Sequence, residues 1–182
     1  MRIIPEEWKR LIHNARGQHD PRMIFVEGPS GAGKTTLVDY LEEVLAWPRY
    51  KTWLDQRGEG NIVHSSSLDI TLATIFVLDF LRQVDGFNVI CDRSYITSIV
   101  YDEDGRRTGR SKTEAFRRLL REVPSLFLFI DAPSEVLVEA GRELREDLER
   151  RRMRYLRCAD MLVDWDVPVV RLHRTGSLYE EA

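Results

Sequence analysis

The chain has 182 residues, 31% of them charged, and a net charge of −3. That length suits a single domain with a real core, and the balanced charge excludes the global basic field that tight, sequence-independent nucleic-acid binding needs. The longest apolar segment, Leu68 to Leu81, is interrupted by Asp69 and Asp79, and the N-terminus is charged where an export signal is apolar, so no membrane partner and a cytoplasmic location are expected.

In chain order, Pro5 to Arg16 reads as a helix with Trp8, Leu11, Ile12 and Ala15 on one face, a helical extension (residues 1–20) strapped onto the domain. An apolar strand, Met23–Glu27, follows. It runs directly into Gly28-Pro29-Ser30-Gly31-Ala32-Gly33-Lys34-Thr35, which fits G-x-x-x-x-G-K-[ST] in its required strand–turn–helix context. The next helix places Leu37, Val38, Leu41, Val44 and Leu45 on one face and stops near Ala46, before Trp47-Pro48. A strand is expected at Asn61–Ser65, a helix over Leu68–Gln83 and a strand at Asn88–Asp92. A helix from a Ser111 cap to Glu122 precedes a strand at Leu126–Asp131. A long helix is expected from an N-cap at Ser134, with Gly141 as a hinge, and a last strand at Val167–Leu172. Strands alternating with helices predict an α/β domain: a five-stranded parallel sheet of the P-loop NTPase type, with helices on both faces. Cys91 and Cys158 lack metal-ligand spacing, and Cys91 reads as a reduced core thiol.

The glycine-rich loop points to a nucleoside triphosphate. Its glycines let backbone amides approach phosphate oxygens, and the following helix N-terminus favours the anion. Gly28, Pro29, Ser30, Gly31, Ala32, Gly33, Lys34, Thr35 and Thr36 are the expected cradle. Lys34 is expected at the transferred phosphate, and the Thr35 hydroxyl on Mg²⁺. Asp92-Arg93-Ser94 ends a strand at the carboxyl edge, where ligands of open α/β sheets bind. A carboxylate there suits Mg²⁺, and an arginine offers a planar fork for phosphate. A surface Asp–Arg pair is the plainer alternative.

Phe25 to Leu41 and Val89 to Tyr101 together resemble the thymidylate kinase and deoxynucleoside kinase superfamily of P-loop kinases. Asp92-Arg93-Ser94-Tyr95-Ile96-Thr97-Ser98-Ile99-Val100-Tyr101 is similar to the thymidylate-kinase "DRY…SS.AY" element, and Leu126 to Val136 to the family's penultimate strand and "D-x-P-x-E" turn. The resemblance spans roughly Met23 to Leu172. It implies ATP and Mg²⁺ as cofactors, with Asp92 at the metal and reacting phosphates. Arg93 would clamp the acceptor, Thr97-Ser98 match the hydroxyl pair, and Tyr101 lie near the base.

Three departures stand out. The helix Leu72–Phe80 carries no arginine where the family reads thymine. His64 to Asp69 shows no family acceptor pattern. The lid, about residues 141–150, is short, with Arg142 and Arg145 as its candidates for charge neutralisation, or else as exposed helix ion pairs. A hydroxyl acceptor benefits from a carboxylate base, for which Asp69 is the candidate, while a monophosphate needs only the Arg93 clamp. The expected activity is ATP- and Mg-dependent phosphorylation of a pyrimidine deoxynucleoside monophosphate or nucleoside. The alternative is phosphorylation of a hydroxymethylated pyrimidine within DNA, with the basic run Arg150-Arg151-Arg152, Arg154 and Arg157 touching the polyanion, as a viral protein in a host cytoplasm would use it. A non-catalytic ATP-binding adaptor is the third reading. A homodimer is compatible with each. Arg174 to Ser177 is a candidate contact to the nucleotide base.

Overall fold

The computed structural model describes residues 4–51, 66–102, 108–139 and 145–175. The chain order is α1 (Glu6–His19), β1 (Met23–Glu27), α2 (Lys34–Leu45), β2 (Arg49–Lys51), α3 (Ser66–Gln83), β3 (Val89–Asp92), α4 (Tyr95–Tyr101), α5 (Arg110–Glu122), β4 (Ser125–Asp131), α6 (Ser134–Glu139), α7 (Arg145–Asp164) and β5 (Val169–His173). The strands form one parallel sheet in the order β2-β3-β1-β4-β5. β1 lies at its centre and is buried along its whole length, which is why it reads as a continuous apolar run rather than an alternating one.

Alternate residues divide the core in two. Met23, Phe25, Val89, Cys91, Phe127 and Phe129 face one layer with buried residues of α3, α4, α5 and α7. Ile24, Val26, Ile90, Leu126, Leu128 and Ile130 face the other, beneath α1 and α2. The Phe25 and Phe127 rings stack at 4.5 Å across adjacent strands. α1 packs on the sheet: Trp8 is buried, and its Nε1 donates to the His173 carbonyl at 3.1 Å.

Several elements differ from expectation. The predicted strand Asn61–Ser65 lies outside the described residues, and the edge position beside β3 is filled by Arg49–Lys51. Pro48 starts that ladder, its carbonyl accepting from Ile90 N at 3.0 Å, and Arg49 is held by Asp39 and Glu42 of α2. The run Tyr95–Tyr101 forms a short helix despite its β-branched composition, because Ser94 caps it and four of its apolar side chains, Tyr95, Ile96, Ile99 and Val100, pack into the core. The long helix expected from Ser134 is seen as α6 and α7. Gly141 falls between them, outside the described residues. Ser134 is not the cap: the Pro133 carbonyl accepts the first helical bonds, from Val136 and Leu137. Likewise Gly109, not Ser111, precedes α5. Among the described residues, no helix is long and apolar enough to cross a membrane.

Candidate active site

The parallel sheet brings Glu27, Asp92, Asp131 and His173 to one edge, each at the carboxyl end of its strand. The glycine-rich loop leaves β1 there. Gly28, Gly31 and Gly33 have φ of 146°, 77° and 101°, values that side-chain-bearing residues rarely adopt. A Cβ on Gly28 would also lie 2.7 Å from the Ile130 carbonyl oxygen of β4. Lys34 opens α2 and is buried. Its Nζ curls back to donate to the carbonyls of Gly28 at 2.9 Å and Pro29 at 2.7 Å. Thr35 is exposed beside it, whereas Pro29, Ala32 and Thr36 are buried and Ser30 and Gly31 face solvent. The ammonium therefore sits under a loop whose glycines leave room for a bulky anion.

β3 delivers the second half. Asp92 is buried and lies in register with Val26, two residues before the loop. Arg93 has φ of 75°, strained for a residue with a side chain. Its N–H donates to the Val26 carbonyl, and its carbonyl accepts from Cys91 Sγ at 2.9 Å. Burial opposes its charge, but Tyr155, Tyr101, Asp92 and Glu27 outweigh that and raise the guanidinium pKa, so it stays a fixed cation. Thr97 turns inward: its Oγ1 donates to Glu27 Oε2 at 2.8 Å and lies 3.3 Å from the Tyr155 hydroxyl. Ser98 accepts from Thr71 of α3. Tyr101 is half-buried under the Arg151 guanidinium, 4.5 Å from its ring centroid.

Glu27 was not anticipated. A charged residue closing an apolar strand reads as the point where the chain meets water, yet this carboxyl group is completely buried. Oε1 accepts from Ser94 at 2.6 Å while Oε2 takes the Thr97 hydroxyl. Burial pushes its pKa up to about 7, against the pull of those hydroxyls and of the Arg93 and Lys34 charges. The unfolded chain loses this proton near 4.5 and the native state keeps it to about 7. Stability therefore falls as pH rises through that window, by roughly 3 kcal/mol, and levels off above it. Glu27→Gln is expected to flatten this part of the profile. Thermal midpoints measured between pH 4.5 and 8 check it, and an unaltered slope would contradict the assignment.

Of the remaining predicted residues, Arg142 lies outside the described residues. Asp69 falls in the first turn of α3, with its side chain outside the description. Arg145 is exposed and ion-paired with Glu135 of α6. Asp131 is gripped by Arg152 of α7, Nε to Oδ1 at 2.5 Å and Nη2 to Oδ2 at 3.1 Å. Arg174 meets the loop rather than an open base site, its Nη1 donating to the Gly31 carbonyl at 2.5 Å. Among the described residues no group of three or more acidic, His or Cys side chains forms a metal site. Thr35, exposed at the start of α2, and Asp92, buried at the end of β3, carry oxygen donors of the kind Mg²⁺ takes.

A family model described as an AAA domain matches residues 23–181. The chain belongs to that family. It is also 26% identical to the thymidylate kinase of Shouchella clausii, over 64% of this chain and 65% of that protein, so it spans just under two thirds of that relative. The thymidylate kinase of Bacillus thuringiensis is 27% identical over 82% of this chain and 91% of its own. Among solved structures, the deoxyadenosine kinase from M. mycoides with bound dATP superposes with a TM-score of 0.58 at 15% identity, covering 83% of this chain and 90% of the other. The chain is thus similar in sequence to thymidylate kinases, and it shares the fold of a deoxynucleoside kinase.

Proposed function

We propose that the protein transfers the γ-phosphoryl group of ATP, with Mg²⁺, to a pyrimidine deoxynucleoside monophosphate or nucleoside. The observation that carries this is the juxtaposition of two sites across one strand pair. The buried Lys34 lies under the glycine loop after β1, and Asp92-Arg93 ends the adjacent β3 in register with Val26.

Each side chain then has a task. The loop from Gly28 to Thr36 receives the β- and γ-phosphates on its amides, and Lys34 neutralises charge on the moving group. Thr35 and Asp92 would hold the metal, which would supply positive charge against the phosphates. Arg93, a permanently charged fork on a fixed backbone, orients the acceptor. Tyr101, with Arg151 on its ring, walls the base. Arg145, paired with Glu135, is the described candidate for neutralising the phosphates, and Arg142 remains a candidate outside the described residues. Asp69 is retained as the base for a hydroxyl acceptor. The reading of DNA as acceptor is weaker, because four of the five arginines in that basic run are engaged locally. Arg150 pairs with Asp147, Arg152 with Asp131 and Glu149, Arg151 covers Tyr101, and Arg154 donates to the Val100 carbonyl.

The test is transfer of γ-labelled phosphate from ATP to a panel of thymidine, thymidine monophosphate, the other deoxynucleosides and their monophosphates, and DNA containing hydroxymethylated pyrimidines. Label is expected in the free nucleosides or monophosphates and is lost without Mg²⁺. Label confined to DNA would replace the acceptor. ATP binding with no transfer to any of them would leave an adaptor.

A further inference from the structure

Two cations, not one, hold the phosphate loop from behind. Lys34 occupies the carbonyls of Gly28 and Pro29. The carbonyl of Gly31, at the crest, is taken by Arg174, a residue 143 positions away that is 8% exposed. On the other side of that same peptide group, Ala32 N–H is tied to the Pro29 carbonyl at 3.3 Å. The crest peptide is therefore fixed at both its oxygen and its nitrogen.

Arg174 is itself anchored. Its N–H donates to the Asp131 carbonyl at 2.8 Å, and the Asp131 side chain grips Arg152 of α7 through two bonds. His173 Nδ1 stands 3.4 Å from the same carboxylate. The Arg152 hydrogen bond, opposed in part by burial, keeps the Asp131 pKa below its ordinary value, so this anchor is charged at neutral pH. A continuous chain thus runs from α7 through the ends of β4 and β5 to the loop crest.

We propose that Arg174 is a positioning residue of the phosphate loop: it holds the Gly31 carbonyl back from the phosphate that the loop's other amides receive and couples that peptide to α7 through Asp131 and Arg152. This rests on the nucleotide-binding reading of the loop. A carbonyl turned toward phosphate would repel it, and a charge-assisted bond to that oxygen holds it away before the ligand arrives. The effect falls on ATP affinity, because the tie is already made in the free protein.

The test measures steady-state kinetics and Mg·AMPPNP binding for Arg174→Ala, Arg174→Lys, Arg152→Ala, the Arg152→Ala/Arg174→Ala double variant and Lys34→Ala, each checked for a cooperative thermal transition. Arg174→Ala is expected to raise KM for ATP tenfold or more, with kcat within threefold and the acceptor KM unchanged. Arg174→Lys, which keeps one donor for the carbonyl, recovers most of the loss. The double variant falls short of the product of the two single effects on KM by threefold or more. An ATP KM within twofold of wild type in Arg174→Ala, or equal losses in both substrates, overturns the proposal. If Arg174→Ala does not fold, the Arg152→Ala/Arg174→Lys double variant replaces it in the cycle, and an effect on KM equal to the product of the two single effects overturns the proposal. Failure of the wild type to bind Mg·AMPPNP, or undiminished binding by Lys34→Ala, sinks the nucleotide reading instead.

Discussion

Lys34→Ala is expected to abolish phosphoryl transfer to within assay background, a fall in kcat/KM of about 1,000-fold or more, equivalent to roughly 4 kcal/mol of transition-state stabilisation. Two losses combine. The moving phosphoryl group loses the ammonium that neutralises it. The carbonyls of Gly28 and Pro29 lose their shared donor, so the first turn of the loop is no longer held from below. Because the ammonium bonds to carbonyls of the loop, which lie outside the strands of the core, the fold itself should tolerate the change. The expected signature is a native-like thermal transition with no turnover. Initial rates with saturating acceptor check it, and activity within tenfold of wild type would show that the loop does not hold the reacting phosphate.

Arg93→Lys has the second-largest expected effect, and it should be selective. Lysine keeps the positive charge between Asp92 and Glu27 but not the planar fork, so two directed bonds to an acceptor anion become at best one. The KM for a monophosphate acceptor is expected to rise about 10- to 100-fold, which corresponds to roughly 1.5–3 kcal/mol for hydrogen bonds to a charged group. The KM for ATP should stay within twofold. The comparison is informative because the backbone at residue 93 has φ of 75°. Arginine and lysine suffer that strain equally, so it cancels between the two proteins. An equal rise for both substrates would mean that Arg93 organises the whole strand edge and does not orient the acceptor.

The parts of the fold legible in the sequence are those where burial leaves a simple pattern. β1, β3 and β4 are buried on both faces, and each reads as an unbroken apolar run next to a turn. The phosphate loop is legible because its glycines are demanded by backbone geometry, which few other sequences satisfy. β2 escaped notice because Arg49-Tyr50-Lys51 carries only three residues, two of them charged, and owes its place to Pro48 and to the pairing of Arg49 with α2. α4 was hidden for the opposite reason. Its β-branched residues favour a strand locally, and tertiary packing around Tyr95, Ile96 and Val100 overrides that preference.

The candidate site divides in the same way. Lys34 stands out in the sequence through the glycine-loop motif, and Asp92-Arg93 through its place at a strand end. Glu27 shares that position but carries no sequence signal of its own, since only the fold reveals that α4 and its cap residue supply two hydroxyls to bury its carboxyl group. Thr97, expected at the acceptor, is instead one of those two hydroxyls. Arg174 was noticed as part of a segment near the nucleotide. Its actual partner, the Gly31 carbonyl, depends on β5 pairing beside β4, and no local pattern encodes a contact across 143 positions.

The account turns on where the triphosphate sits, and amide chemical-shift mapping of the isotopically labelled full chain with Mg·AMPPNP reads this directly. The largest shifts are expected at Gly31, Gly33, Lys34 and Thr35, with a second response at Asp92 and Arg93 once an acceptor nucleotide is added. Shifts clustered instead along α3 and α5, with the amides of Gly28 to Thr36 unmoved at saturating nucleotide, would contradict it.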